Sequence, residues 1–361
     1  MRIAIDAREL TGHPTGVGRY LSELLREWQA TGVDRRHTLR LYAHTMPTLV
    51  PPGLEATVHV APGHGGSRWE QWDFQRALGR DRPDVVFAPG YTAPLAAPAP
   101  TVVAIHDVSF FAHPEWFAWR EGMRRRLVTA WSARRARLVL VPSAFSGAEV
   151  VRHTAVDAAR LRVVYLGVRP PATAPAGPRA PIVLFVGSLF QRRRLDVLIE
   201  AFARVAATRP EARLEIVGAN RTTPRVDFAA ALAARGLDDR ARLRDWVDDA
   251  TRDDLYGAAA VFVFLSRYEG FGFTPLEAMT HGAVPIVLDT AVAREIYGAA
   301  AWRVTDGPAL THDVAAAMAA LIDDAALHAR YRAEAAPVLA SYQWADTARR
   351  VLGCLEEAAG A

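Results

Sequence analysis

The run Val261-Phe262-Val263-Phe264-Leu265-Ser266-Arg267-Tyr268-Glu269-Gly270-Phe271-Gly272-Phe273-Thr274-Pro275-Leu276-Glu277-Ala278-Met279 joins two patterns of different period. Its first five residues are apolar without alternation, as expected of a strand covered on both faces of a parallel sheet. From Thr274 it reads as a helix start, with Thr274 as N-cap, Pro275 at the first helical position and Glu277 where a capping box places its acid. Between the two lies Glu269-Gly270-Phe271-Gly272. Glycines there let a ligand approach backbone N–H groups, and a helix N-terminus favours an anion. Capping accounts for Glu277 but leaves Glu269 unexplained. A carboxylate beside such a loop can accept two hydrogen bonds from a diol, as sugars and ribose present.

Outward from this unit the same order repeats. Apolar runs at 2–6, 84–88, 101–106, 138–141 and 162–165, then at 181–186, 213–217, 242–246, 261–265, 284–288 and 301–304, alternate with segments of helical spacing such as Leu195, Leu198, Ile199, Phe202 and Val205. Repeated βα order predicts a doubly wound α/β architecture. Residues 169–181 carry five prolines and no large apolar side chain, which predicts an extended linker. A chain of 361 residues exceeds the roughly 250–300 that one core supports, so two domains are expected, 1–168 and 182–341. Each is long enough for one Rossmann-like sheet, and such sheets bind ligands outside the carboxyl ends of their strands.

Composition excludes several chemistries. Cys354 is the only cysteine, so an internal disulfide and a cysteine-built zinc site are ruled out. All 43 basic residues are arginine, which removes Schiff-base and P-loop lysine mechanisms. The net charge is +4, and no recognised nucleic-acid motif accompanies it. No run approaches the roughly 18 apolar residues of a membrane span, and Asp6 interrupts the first apolar stretch. A cytoplasmic setting is the expectation.

Other loops carry weaker signals. Gly187-Ser188-Leu189-Phe190-Gln191-Arg192-Arg193-Arg194 sets three cations between a strand and a helix. A solvated charge run is the plain reading. Neighbouring guanidinium groups at a strand's carboxyl end also suit phosphate oxygens. Gly16 and Gly18, after the first strand, lack the third glycine of a dinucleotide fingerprint, which argues against an NAD site. His106-Asp107 ends the strand at 101–106, where a lone histidine is more often structural. Trp246, followed by Val247, reads from the residues alone as a strand-end core tryptophan. Ser143 reads as an N-cap.

The 261–279 unit resembles the Glu-x7-Glu signature of the retaining glycosyltransferases of family four, which have the GT-B fold. The resemblance covers nearly the whole chain. It implies two Rossmann-like doubly wound domains facing an interdomain cleft, with a terminal helix at about 342–361, after the Tyr342-Gln343-Trp344 segment, returning to the first domain. It assigns Glu269 to the transferred sugar, Glu277 to the donor ribose, and the amides of Gly270, Phe271 and Gly272 to sugar hydroxyls and phosphate. Arg192 and Arg193 match the pair that binds the donor diphosphate, with Arg193 in place of a lysine. Arg194 stands where an asparagine is usual. Gly16 and Gly18 match loop glycines near the diphosphate and acceptor. His106 matches a histidine facing the donor sugar, with Asp107 orienting its ring. Trp246 and Val247 match the base-binding stretch, and Glu295 a glutamate near the donor.

The function so implied is retaining transfer of a hexose from a nucleotide-diphosphate sugar to a saccharide or lipid-linked acceptor, with no cofactor and no metal required. The run from His106 to Phe117 resembles mannosyl-transferring members, which favours GDP-mannose and a place in polysaccharide biosynthesis. Another GT-B enzyme, such as a phosphorylase or sugar-nucleotide epimerase, and a non-catalytic nucleotide-sugar-binding protein remain as alternatives. Residues 119–137 hold seven arginines and one acid with Trp119, Leu127, Val128 and Trp131 interleaved. This reads as a solvated helix face, or as a contact with an anionic membrane surface at the inner face of the membrane.

Overall fold

The computed structural model describes residues 1–12, 15–171 and 179–360. The chain divides into two compact units, Met1–Gly167 with Gln343–Ala361, and Val168–Tyr342. Most of the proline-rich stretch, 172–178, lies outside the described residues, as do His13 and Pro14. The end of that stretch is strand rather than linker, because the strand that follows begins at Ala180.

The first unit holds seven strands: β1 (Arg2–Asp6), β2 (Thr38–Ala43), β3 (Val58–Val60), β4 (Val85–Ala88), β5 (Thr101–Ala104), β6 (Leu138–Val141) and β7 (Leu161–Val163). Their order is β3-β2-β1-β4-β5-β6-β7, and every pairing is parallel. β4, β5 and β6 are buried throughout, as their unbroken apolar runs require. The helix Trp344–Ala359 belongs to this unit. Trp28 donates its indole N–H to the Ala348 carbonyl at 3.0 Å, and Thr347 Oγ1 donates to the Tyr165 carbonyl at 2.8 Å.

The second unit holds β8 (Ala180–Val186), β9 (Arg213–Val217), β10 (Ala241–Arg244), β11 (Ala259–Phe264), β12 (Val284–Leu288) and β13 (Trp302–Val304). They lie in the order β10-β9-β8-β11-β12-β13, again all parallel. Both sheets therefore reverse direction of growth beside their first strand, between β1 and β4 and between β8 and β11. That reversal separates the loops after the two central strands and leaves a crevice at their carboxyl ends.

Two expectations change. The helix after β11 runs Phe273–Thr280, two residues earlier than Thr274 as N-cap allows. Gly272 occupies the cap position in the left-handed conformation, with no side-chain cap bond. Thr274 is inside the first turn, its buried Oγ1 making no hydrogen bond within the chain. Likewise Gly16 is the first residue of the helix Gly16–Ala30, capped by Thr15, which accepts from the Gly18 N–H at 2.9 Å. The two glycines belong to a helical turn rather than to an open loop.

Candidate functional site

The crevice of the second unit is built by the loops after β8 and β11. Arg267 N–H donates to the Arg192 carbonyl at 3.0 Å, tying the two loops together through backbone alone. On this frame Glu269 Oε1 accepts from Ser266 Oγ at 2.8 Å and from Arg193 Nε at 3.2 Å, with Arg193 Nη2 at 3.1 Å. Arg192 Nε lies 4.0 Å from the same oxygen. All these contacts converge on one oxygen of Glu269, Oε1.

The arginines are aimed by their surroundings. Arg193 donates to the Ser188 carbonyl at 3.0 Å and lies 4.9 Å above the Phe264 ring. Arg192 stacks on Phe190 at 4.6 Å. Cation–π contact uses the face of a guanidinium and not its in-plane N–H donors. Arg194, without a role in the sequence reading, turns away. It sits in the left-handed region at φ 50°, and its Nη1 reaches Asp306 at 3.2 Å, which Arg267 also holds at 2.7 Å. Left-handed backbone suits asparagine well, which explains why Asn is usual there.

The glycine loop is locked from behind. Gly272 has φ 76°, and a Cβ there would overlap the Tyr297 hydroxyl. That hydroxyl donates to the Gly272 carbonyl at 2.7 Å, and burial raises its pKa well above the ordinary value. The phenol therefore stays a neutral donor. Phe271 points inward, its ring edge-on to Tyr342 at 5.4 Å, so this residue offers the crevice its backbone. Gly270 is buried beside it.

Glu277 projects from the next helix. It is no capping-box acid: its Oε2 accepts from the buried Tyr256 hydroxyl at 3.2 Å. Trp246 and Val247 follow β10. Trp246 is 65% exposed, which overturns the core reading of that residue. Glu295, on the helix Ala291–Tyr297, is half-buried.

The remaining candidates lie in the first unit. Gly18 is required where it stands, since a Cβ would overlap the Glu9 carbonyl, whereas a Cβ on Gly16 meets open space. His106 donates Nε2–H to the Pro89 carbonyl at 2.7 Å; a carbonyl only accepts, so neutral His106 carries its lone pair on Nδ1. Tyr20 and Tyr91 pack edge-on at 5.0 and 5.6 Å. Burial lowers its pKa, against smaller opposing effects of the Pro89 bond and Asp107. Asp107 was expected to orient the ring, but Pro89 does so. Asp107 instead accepts from Ser109 N–H at 2.8 Å, from Ser109 Oγ at 2.7 Å and from the Tyr91 hydroxyl at 3.2 Å. Ser143 is an N-cap, accepting from Ser146 N–H at 3.0 Å.

Sequence reading missed Ser266, Tyr297 and Tyr256. Ser266 lies three residues from Glu269, and its place at the end of an apolar strand was a usable signal. The two tyrosines come from helices remote in sequence and gave none.

Two family models divide the chain between them. Residues 14–170 match Glycosyltransferase Family 4, and residues 180–324 match Glycosyl transferases group 1. The chain belongs to the GT-B glycosyltransferases of the family-four kind. It is 36% identical over 117 residues to the mannosylfructose-phosphate synthase of Agrobacterium fabrum, covering 31% of this chain and 26% of that one. It is 27% identical over 271 residues to the GDP-mannose:cellobiosyl-diphosphopolyprenol alpha-mannosyltransferase of Komagataeibacter xylinus, 71% of this chain and 67% of the relative. The chain thus spans about a quarter of the first relative and two thirds of the second. The solved structure of Anabaena HepE with UDP-glucose superimposes with TM-score 0.76 at 18% identity, covering 99% of this chain and 100% of that one. At that identity the likeness establishes the GT-B fold. Among the described residues of this glycosyltransferase no group of three metal-ligating side chains occurs, and no helix is long and apolar enough to cross a membrane.

Proposed function

We propose that the chain transfers a hexose, with retention, from a nucleotide-diphosphate sugar to a saccharide or lipid-linked acceptor. The observation that carries this is the Glu269 carboxylate, held through one oxygen by Ser266 and Arg193, beside two arginines stacked on aromatic rings in the loop after β8. A carboxylate that accepts from sugar hydroxyls and guanidinium groups that take a diphosphate are the two halves of a nucleotide-sugar site. In this reading Arg192 and Arg193 neutralise the diphosphate as the bond from it to the anomeric carbon breaks. The amides of Gly270, Phe271 and Gly272 hold the sugar and phosphate. Glu277 accepts from the ribose diol, and Trp246 and Val247 lie along the base. The acceptor oxygen attacks from the face the diphosphate leaves, and its proton departs with the phosphate. His106, with Gly16 and Gly18, serves the acceptor side of the reaction.

The arginines supply the charge a metal would otherwise provide, so neither metal nor other cofactor is needed. Transfer should survive EDTA at full rate; a requirement for added magnesium would contradict this. The name of the Komagataeibacter relative supports GDP-mannose as donor and a saccharide linked to diphosphopolyprenol as acceptor. A thermal-shift screen of GDP, UDP, ADP and their sugars, followed by transfer from the stabilising sugar nucleotide, tests the proposal. Stabilisation by free phosphate alone would favour a phosphorylase.

A lipid-linked acceptor would require contact with a membrane surface, and the helix Trp119–Arg135 supports one. Trp119, Met123, Leu127 and Trp131, spaced four apart, are 72%, 37%, 51% and 53% exposed. Arg120, Arg124 and Arg125 are exposed on the same helix, with Glu121 as the acid shared by the last two. An apolar stripe among cations fits an anionic bilayer at the cytoplasmic face of the inner membrane, each arginine contributing about 1 kcal/mol near the surface. Trp119→Ala with Trp131→Ala should abolish cosedimentation with phosphatidylglycerol vesicles, while transfer to a water-soluble acceptor continues. Unchanged cosedimentation would return the stripe to a solvated face.

A further inference from the structure

Tyr256 lies outside every loop that reading assigns to the donor. It sits on the helix Asp249–Ala258, completely buried, stacked on His281 at 5.3 Å and packed against Phe262 at 5.7 Å. Its hydroxyl reaches Glu277 Oε2 at 3.2 Å. A phenol has one hydrogen, and a carboxylate only accepts, so the direction of this bond is fixed. His281 completes the column, its Nδ1 at 2.9 Å from the Glu277 carbonyl. The ring between His281 and Phe262 therefore cannot swing to follow Glu277; Glu277 must meet it.

A free glutamate at a helix surface samples several rotamers, and its carboxylate plane rotates broadly. A cis-diol needs the opposite: two acceptor positions held in one plane, at the spacing of two adjacent hydroxyls. We propose that Tyr256 is a positioning residue that fixes the Glu277 carboxylate for the vicinal 2′- and 3′-hydroxyls of a ribonucleotide, making the crevice selective for ribose over deoxyribose. This rests on the reading of Glu277 as the ribose acceptor. One phenolic bond occupies one of about four lone-pair positions of the carboxylate. Arg252, whose charge acts on Glu277, is itself bonded to Asp253 at 2.9 Å.

The test is calorimetric titration of the full chain with GDP and with 2′,3′-dideoxy-GDP, repeated with the uridine pair. Tyr256→Phe keeps the ring, its stacking and its burial. It should weaken the ribonucleotide about 3–10-fold, the size of one ordinary net hydrogen bond because the phenol acts on the ligand only through Glu277, and leave the dideoxy form unchanged. 3-Fluorotyrosine at position 256, a stronger donor in the same volume, should preserve ribose selectivity and guards against misfolding of the first variant. Equal weakening of both nucleotides, or no weakening, would overturn the positioning role. Glu277→Gln separates the premise. If it collapses the ribose-to-dideoxy ratio while Tyr256→Phe leaves it intact, only the present inference fails. If it leaves the ratio intact, the ribose reading of Glu277 fails and the inference with it.

Discussion

Glu269 and Gly272 show how much a residue's type reveals and how much its neighbours must supply. The acid between a strand and a glycine loop was legible from sequence, because nothing local needs a carboxylate there. What the sequence could not give is which oxygen is held, since that depends on Ser266 and on Arg193 from a loop 76 positions away. Glu269→Gln keeps the volume and removes the charge. It should lower transfer about 10–100-fold, the worth of one charged hydrogen bond, with nucleoside diphosphate affinity unchanged by titration. Gly272→Ala places a Cβ on the Tyr297 hydroxyl in a left-handed backbone. It should cost about 1–3 kcal/mol in chemical denaturation. Tyr297→Phe in the same chain should return part of that loss, although alone it destabilises. For His106 the sign follows from burial, which lowers its folded pKa below 6.5. The unfolded state then binds more protons, so stability is held above pH 6.5 and falls as pH drops below it. His106→Gln should flatten that slope below about pH 6.5. Asp6, raised to about 6 chiefly by burial, acts with the opposite sign, its stabilising share lost as pH rises from 3.8 to 6. The comparison must therefore be between wild type and variant rather than against a flat baseline.

At the scale of elements, what was legible followed burial. β1, β6, β9 and β12 begin and end where their apolar runs do, because strands covered on both faces are mostly apolar; the buried Glu215 in β9 is paired with Arg244 at 3.2 Å. β2 and β3 escaped the same reading. β2 carries Arg40 mid-strand, where it pairs with Asp81 at 2.8 Å, and β3 is three residues long at the sheet edge. The start of the helix Phe273–Thr280 was misplaced because capping chemistry favours threonine, while here Gly272 caps by conformation. The arginine loop separates in the same way. Three adjacent cations look alike in sequence, but Arg192 and Arg193 stack on aromatic rings and Arg194 folds back onto Asp306. Arg194→Asn, suited to the left-handed backbone, should leave kcat/KM within about twofold and stability within about 0.5 kcal/mol. Arg192→Ala should lose at least about tenfold in donor affinity, one charged phosphate contact. Equal losses at 192 and 194 would mean the whole loop acts as one electrostatic patch.

For the whole molecule the decisive feature is that the chain returns. A two-domain reading by length and linker would cut at one place; the structure cuts at Gly167/Val168 and again at Tyr342/Gln343. The second boundary was readable only through the family resemblance, since no composition shift marks it. Its physical cause is an amphipathic helix whose partners lie from 182 to 320 positions earlier. Trp344, Val351, Leu352 and Leu355 are buried, Trp28 bonds Ala348, and Arg162 pairs with Glu357. Each large apolar side chain buried there is worth about 1.5–3 kcal/mol, so the helix carries a large share of the first unit's stability. A chain ending at Tyr342 should therefore unfold in two steps: a first unit melting well below the intact protein, and a second unit whose transition still rises when the preferred nucleotide is added. Ligand stabilises only the unit that binds it, so the nucleotide should move the upper transition alone. A single transition, shifted as a whole by nucleotide, would mean that the crevice at β8 and β11 depends on the returning helix.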